Sequence, residues 1–310
     1  MTDETKLEHS NYEDDIKEYP HLAEVLRNLV HYENAPEDVI QELSLPFKEI
    51  LLTRRAERDR WLKEPRNFFT ENGYEIIGPL LPRDECDRLV QLADSYNRGN
   101  SYIINDAAYL IHRGELESEY RVYDDKTWQL FNLQYLDPAM GALFNSQQIE
   151  NIFRQRLRRT VYLESITIQV SGVEGRNRQP WHVDAFVPTY KAFIYLTDAN
   201  EPKYGPFSFI PRTHLDVMRP WRARYLNAKR HLRPAQMEVE YDDSEALPLC
   251  ASKGEALIAT LSAPHAGWPL HEERTRYVLV CYLTEWPHSP KPFNHGRDRV
   301  AELEARRKAP

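Results

Sequence analysis

The sequence predicts a mainly β protein with helices at its amino-terminal end. Apolar residues recur at helical spacing from Leu22 to Val30, Pro36 opens a second short helix, and Ile50 to Leu62 continues a third. The later segments are short, rich in β-branched and aromatic residues, and separated by turn signals. Helices followed by short strands in this way predict a double-stranded β-helix of the jelly-roll, cupin-like kind.

The chain has 310 residues, a length that suits one elaborated β domain and requires no second one. We expect a helical extension over residues 1–65, packed on the outside of the core, and the double-stranded β-helix domain over residues 66–310. A partner-binding or dimerising role is the alternative for the extension, although amphipathic helices usually serve their own protein's core.

Composition narrows the class of protein. A net charge of −8 argues against general affinity for nucleic acids or anionic membranes. The three cysteines, Cys86, Cys250 and Cys281, are widely spaced and fit reduced thiols. Met1 to Pro20 lacks the apolar region of a secretory signal, and no apolar stretch is long enough to span a bilayer. We therefore expect a cytoplasmic protein.

Two strand segments carry the first candidate site residues. Val161 to Val170 is a good strand, and Gln169 near its end is either a contact to a bound small molecule or a polar residue at a sheet edge. Further on, His182 and Asp184 form a His-x-Asp pair. Residues two apart in a strand point the same way, roughly 7 Å apart, which suits two neighbouring ligands on one metal. A bare His-x-Asp pair also occurs on solvated strand edges or as a hydrogen-bonded pair.

A second histidine, His265, stands where an apolar strand ends. Two neutral imidazoles, from His182 and His265, and the carboxylate of Asp184 would leave open metal positions, which favours Fe(II) oxygen chemistry. Structural zinc would instead have a closed ligand shell. His271 is the alternative distal ligand, but it lies in the connection from Ala266 to Thr275, where glycine and proline interrupt the strand pattern.

The next strand, Arg276 to Tyr282, follows at once and is rich in β-branched and aromatic residues. Its alternation places Arg276, Val278 and Val280 on one face. An inward-facing arginine needs an anion, and a planar guanidinium binds a carboxylate through two hydrogen bonds. Arg274 has the same parity, but its position outside the β-branched run favours Arg276.

With these residues in place, the chain resembles the phytanoyl-CoA dioxygenase family of Fe(II)/2-oxoglutarate-dependent oxygenases over roughly residues 66–285. The eleven-residue spacing from His265 to Arg276 fits the family pattern. The other matching segments are Phe69 to Leu80, Pro82 to Cys86, Ala192 to Asp198 and Gly205 to His214. One departure is Arg212, where the family usually has glycine, which tolerates a positive φ far better than arginine.

The resemblance implies Fe(II) as the metal, with 2-oxoglutarate and molecular oxygen as cosubstrates. The implied metal ligands and catalytic residues are His182, Asp184 and His265. The implied cosubstrate-binding residues are Arg276, Gln169 and Phe193. The implied activity is hydroxylation of an unactivated C–H bond in a small-molecule substrate. Related halogenating enzymes lack the carboxylate ligand that Asp184 supplies, whereas desaturation and ring closure stay open. The alternatives are a non-catalytic jelly-roll module that binds a metal or another ligand, and a hydrolytic or isomerising cupin-like metalloenzyme.

A basic stretch from Arg212 to Arg233 carries seven lysines and arginines against one acid, Asp216. In a protein that is acidic overall, this stretch predicts that an anionic substrate group binds near the mouth of the barrel. The alternative is a solvated helix face that the acids between Glu238 and Asp243 balance.

Overall fold

The structure is a computed structural model. It describes residues 57–99, 108–113, 116–124, 127–172, 181–184, 189–216, 237–238, 243–271 and 273–285. The helices predicted before residue 57 lie outside these ranges, as do residues 217–233 of the basic stretch. No helix among the described residues is long and apolar enough to cross a membrane.

All described α-helices end before residue 155, and nine of the thirteen described strands follow them. The strands are β1 (Tyr74–Pro79), β2 (Ala108–Arg113), β3 (Leu116–Asp124), β4 (Thr127–Phe131), β5 (Tyr162–Ser171), β6 (His182–Val183), β7 (Thr189–Tyr195), β8 (Phe207–Phe209), β9 (Met237–Glu238), β10 (Leu247–Pro248), β11 (Glu255–Thr260), β12 (His265–Gly267) and β13 (Arg276–Thr284). The helices are α1 (Phe68–Asn72), α2 (Arg83–Gly99), α3 (Leu133–Leu136), α4 (Pro138–Asn145) and α5 (Gln148–Arg154).

These strands form two antiparallel sheets, so the predicted double-stranded β-helix fold is confirmed. The larger sheet has the order β1-β11-β7-β13-β5-β4-β3-β2, and the smaller sheet has the order β10-β8-β12-β6-β9. Strands distant in sequence therefore lie side by side; in β1 and β11, for example, Tyr74 pairs with Ala259.

The two faces of the larger sheet belong to different cores. On β13, Leu279 and Cys281 pack in a cluster that includes Phe153 of α5. The alternate residues Val278 and Val280 pack between the sheets, in a cluster that includes aromatic residues of β8. The predicted alternation along this strand is confirmed. By the same alternation, Arg276 belongs to the face of β13 that lies between the two sheets.

The segment just before the predicted domain boundary packs on the β core. Helical residues 57–61 end at Trp61, whose ring lies 4.7 Å from that of His214 and 5.9 Å from that of Phe69. Gly73 ends α1 with a φ of +83°. A Cβ there would approach His214 Nδ1 to 2.8 Å, so His214 is a packed structural histidine. The boundary at residue 65 stays a prediction.

Two local expectations were wrong. The strand before His265 does not reach it: β11 ends at Thr260, and His265 begins β12 in the other sheet. Pro264, which has no N–H to donate, separates the two strands, and residues 268–275 separate β12 from β13. The sheet-edge interpretation of Gln169 also fails, because β5 lies between β13 and β4.

The turn at Arg212 keeps the backbone conformation that favours glycine. Arg212 has a φ of +66°, and its N–H donates to the carbonyl of Asn72 at 3.0 Å. The sequence departs from the family pattern here without changing the left-handed turn, so the arginine takes a conformation that costs about 1 kcal/mol or more.

Candidate metal centre

The two candidate histidine ligands come from adjacent strands of the smaller sheet. His182 of β6 and His265 of β12 are direct cross-strand partners, and each is only 3% exposed. Asp184 follows β6, and its backbone N–H donates to Leu261 O at 3.2 Å. This bond ties the carboxylate residue to the turn that leads into β12.

The three side chains converge. Their ligand atoms all lie within 4.8 Å of one another. Asp184 Oδ1 is 3.4 Å from His182 Nε2 and 3.3 Å from His265 Nε2. Two imidazole nitrogens and one carboxylate oxygen around a single point match the donor set that non-haem iron uses, with positions left open for other ligands.

The state of His265 fits a metal ligand. Its Nδ1 lies 3.0 Å from Ala263 O, and a carbonyl can only accept, so Nδ1 donates and Nε2 keeps its lone pair. Burial lowers the pKa of His265, although the nearby carboxylate of Asp184 opposes that shift. Nε2 is buried, and within the described part of the chain no donor serves its lone pair, which faces Asp184 Oδ1 at 3.3 Å. This arrangement is costly, and a metal ion would relieve it.

The state of Asp184 fits as well. Burial alone would raise its pKa, but the ammonium of Lys191 opposes that shift and is the largest cause that holds this pKa well below its usual range. The carboxylate is therefore ionised at neutral pH, as a metal ligand must be. Lys191 Nζ donates to Asp184 Oδ2 at 2.6 Å.

Lys191 is the main residue of this site that the sequence did not reveal. It is 8% exposed on β7, and its ammonium lies 4.8 Å from the ring centroid of Tyr282 on β13. The signal in the sequence was a lysine in an otherwise uncharged strand, with the same parity as Phe193. The packing of the two sheets against each other, which the sequence does not state, brings it to Asp184.

Arg276 is the second part of the candidate site. It donates to Gly205 O, and to Ser171 Oγ at 3.3 Å. Burial lowers the pKa of its guanidinium, and nearby Tyr195 opposes that shift only in part. Among the described residues no carboxylate pairs with this guanidinium. A partly buried cation of this kind favours an anionic ligand.

The guanidinium of Arg276, a residue of β13, lies beside β12, the strand that carries His265. A Cβ on Gly267 would be 3.6 Å from Arg276 Nη2, and Gly267 is two residues beyond His265 on β12. Two residues of strand span roughly 7 Å. The metal ligands and the guanidinium therefore line one face of β12 at a separation that suits the two ends of a short dicarboxylate.

The other two residues predicted to bind the cosubstrate lie in the same interior. The ring of Phe193 is 4.3 Å from that of Phe207, which is 5.4 Å from that of His265. Gln169 is partly exposed and donates to Tyr282 Oη at 3.0 Å. Phe207 therefore lies between Phe193 and His265, and Tyr282 and Lys191 lie between Gln169 and Asp184. The contacts of Phe193 and Gln169 to a cosubstrate stay predictions.

The rival residues lie elsewhere. His271 is exposed, and it does not join the three converging ligands. Arg274 places its guanidinium 3.9 Å from the centroid of the Tyr204 ring and donates to Asp198 O. The geometry therefore favours His265 and Arg276 over these two alternatives.

Comparisons with known proteins agree with this fold. The structure resembles that of SnoK, a non-heme alpha ketoglutarate dependent carbocyclase from nogalamycin biosynthesis, with a TM-score of 0.53 and 14% identity over 76% of this chain and 88% of that one. It also resembles EvdO2 from Micromonospora carbonacea var. aurantiaca, with a TM-score of 0.50 and 14% identity over 76% of this chain and 93% of that one. A comparison with curated protein sequences found no match.

A family model gives a more specific result. The model for phytanoyl-CoA dioxygenase matches residues 69–277. The match runs from α1 to the first residues of β13 and includes His182, Asp184, His265 and Arg276. This chain is therefore a member of the phytanoyl-CoA dioxygenase family.

Proposed function

We propose that the protein is an Fe(II)/2-oxoglutarate-dependent oxygenase that hydroxylates an unactivated C–H bond in a small molecule. One observation carries the proposal: the three converging ligands and the guanidinium of Arg276 lie along one face of β12, and no carboxylate among the described residues pairs with that guanidinium. A metal-binding module or a hydrolytic metalloenzyme would not need that guanidinium. Membership of the phytanoyl-CoA dioxygenase family supports the same activity.

The residues have separate tasks in this proposal. His182, Asp184 and His265 would hold the iron through three of its positions and leave the others open. When bound, iron with 2-oxoglutarate and oxygen supplies an oxidant strong enough to break an aliphatic C–H bond. Arg276 binds the distal carboxylate of 2-oxoglutarate through its planar fork.

The surroundings of the ligands also serve the reaction. The aromatic rings of Phe193 and Phe207 pack beside His265 and exclude water from that side. Asp184 argues against halogenation, because a carboxylate ligand occupies the position that a halide would take in a halogenating enzyme. A non-catalytic module would have no reason to keep all four residues.

An anaerobic spectrum tests the cofactor part of the proposal. Protein, Fe(II) and 2-oxoglutarate mixed without oxygen should develop the weak visible charge-transfer absorption of a chelated keto acid. The Asp184→Ala variant should give no such absorption. Metal binding without the absorption in the native protein would instead favour the non-catalytic module.

Product analysis tests the reaction. Candidate substrates include acyl thioesters, amino acids, sugars and natural-product intermediates, and a true substrate should stimulate succinate release. With labelled molecular oxygen, hydroxylation predicts a product that gains one labelled oxygen atom. A product that has lost two hydrogens without gaining oxygen would replace hydroxylation by desaturation or ring closure. An anionic and a neutral member of each class should be compared, because the basic stretch predicts a preference for the anion.

A further inference from the structure

The carboxylate of Asp184 has its two oxygens in different environments. Oδ1 faces the imidazole nitrogens of His182 and His265, at 3.4 Å and 3.3 Å. Oδ2 accepts a hydrogen bond from Lys191 Nζ at 2.6 Å, between side chains that are 10% and 15% exposed. One oxygen is thus directed at the metal position and the other is bound by a buried ammonium.

Lys191 is itself held in place. Its ammonium lies 4.8 Å from the ring centroid of Tyr282 and 5.9 Å from that of Phe193. Tyr282 Oη in turn accepts from Gln169 Nε2 at 3.0 Å. A cation between aromatic rings and a carboxylate, with one ring fixed by a further hydrogen bond, has little freedom to leave.

We infer that Lys191 is a positioning residue that restricts Asp184 to binding the metal through one oxygen. The inference rests on the proposed function. Three protein ligands leave three positions on a six-coordinate iron, and a keto acid that chelates takes two of them. If Asp184 bound through both oxygens, it would occupy a position that 2-oxoglutarate or oxygen needs.

The charge of Lys191 acts in the same direction. An ammonium beside the carboxylate offsets its negative charge, so the metal keeps more of its positive charge toward an incoming anion. Loss of Lys191 would therefore favour binding of the metal and weaken binding of 2-oxoglutarate. A residue that only supported the fold would weaken both kinds of binding together.

The experiment compares metal and 2-oxoglutarate affinities without turnover. Mn(II) is titrated into the full-length apoprotein by calorimetry, and 2-oxoglutarate is then titrated into the Mn(II)-loaded protein. The variants are Lys191→Met, which keeps length and loses charge, and Lys191→Arg, which keeps charge and donors. Lys63→Met, at an exposed lysine, is the control for loss of one positive charge.

We expect Lys191→Met to lower the affinity for 2-oxoglutarate at least about 10-fold and to leave the affinity for Mn(II) unchanged or higher, in line with the effects of residues that orient metal ligands. Lys191→Arg should recover most of the loss, and Lys63→Met should match the native protein. A crystal structure of Mn(II)-loaded Lys191→Met should have both Asp184 oxygens on the metal, where the native protein has one.

Two results would overturn the inference: unchanged 2-oxoglutarate affinity in Lys191→Met, or equal losses of metal and 2-oxoglutarate affinity that Lys191→Arg does not restore. If Lys191→Met fails to fold, the Lys191→Arg crystal structure decides, since two Asp184 oxygens on the metal there contradict the assigned role. Failure of the proposed function is distinct, because the native protein would then bind no Mn(II) or no 2-oxoglutarate.

Discussion

At His265 one ring nitrogen is engaged by the backbone and the other points at Asp184 and His182. His265→Ala should therefore remove a metal ligand and lower Fe(II) affinity by more than about 100-fold, beyond the usual effect of residues that only orient ligands. His182→Ala and Asp184→Ala should do the same. The measurement is an anaerobic Fe(II) titration of each purified variant.

His271→Ala is the matched control for this prediction, because His271 is exposed and lies outside the converging ligands. It should bind Fe(II) like the native protein. Loss of iron binding in His271→Ala with normal binding in His265→Ala would reverse the assignment of the distal ligand.

Arg276 has carbonyl and hydroxyl partners but no carboxylate among the described residues. Arg276→Ala should weaken 2-oxoglutarate binding by about 2–5 kcal/mol, because the bound carboxylate would lose its charged partner. Iron affinity should change much less. Arg276→Lys should restore little, since lysine lacks the planar fork. If Arg274→Ala weakened 2-oxoglutarate binding and Arg276→Ala did not, Arg274 would take over the role.

Glu164 is a buried carboxyl that accepts from Thr284 Oγ1 at 3.1 Å. Burial raises its pKa to about 7, and the hydrogen bond from Thr284 opposes that shift. Because the folded protein holds this proton more tightly than the unfolded chain, the carboxyl destabilises the fold as pH rises from the unfolded value of 4.5 toward 7. Below that window it has no such effect.

Glu164→Gln, which imitates the protonated form, should therefore raise the free energy of unfolding by about 3 kcal/mol at pH 8 and by under about 1 kcal/mol at pH 5. Urea denaturation at both pH values measures this. Glu273→Gln, at an exposed carboxylate, should have little effect at either pH. An equal gain at both pH values would mean that Glu164 is not protonated in the fold at neutral pH.

At the scale of helices and strands, the sequence predicts the alternation of side chains within one strand, but it does not predict which strands lie next to each other. The His-x-Asp pair and the inward parity of Arg276 follow from a two-residue period within one strand, so the sequence alone predicted their geometry. Lys191 reaches Asp184 only because β7 lies beneath the smaller sheet, a long-range fact. The position of Gln169 in a central strand was missed for the same reason.

The turn at Arg212 offers a stability test at the scale of one element. Its φ of +66° strains any residue with a Cβ. Arg212→Gly should stabilise the protein by roughly 0.5–1 kcal/mol. This gain is the backbone strain that glycine relieves, minus the cost of the extra conformational entropy that glycine gives the unfolded chain. Arg212→Ala keeps the Cβ and should give no such gain in urea denaturation. Equal gains from both variants would locate the effect in the arginine side chain rather than in the backbone.

Across the whole molecule, a buried ion cluster joins three distant parts of the chain. Arg159, just before β5, pairs with Glu57 and Glu64 of the amino-terminal segment and with Glu285 after β13. These four side chains are between 5% and 11% exposed. Arg159→Met should cost about 3–5 kcal/mol of unfolding free energy, because it removes the buried cation from three buried carboxylates. Among the described residues, Glu57 and Glu285 would keep only the half-exposed Arg60 as a cationic partner.

Arg58→Met is the matched control, since Arg58 pairs with Asp59 where both side chains are at least one-third exposed. Exposed pairs contribute about 0–1 kcal/mol. The measurement is the midpoint of urea denaturation, and a similar small shift for both variants would contradict a stabilising role for the cluster.

The central position of β13 has a consequence for synthesis on the ribosome. β13 is the last strand of the described chain, yet it lies between β5 and β7 in the larger sheet. At about 5–20 residues per second, the ribosome needs roughly 4–18 seconds to proceed from the end of β7 to the end of β13. Until then the facing edges of β5 and β7 have no neighbour and can pair with other strands, so nascent chains of this protein should depend on chaperones that cover unpaired strand edges.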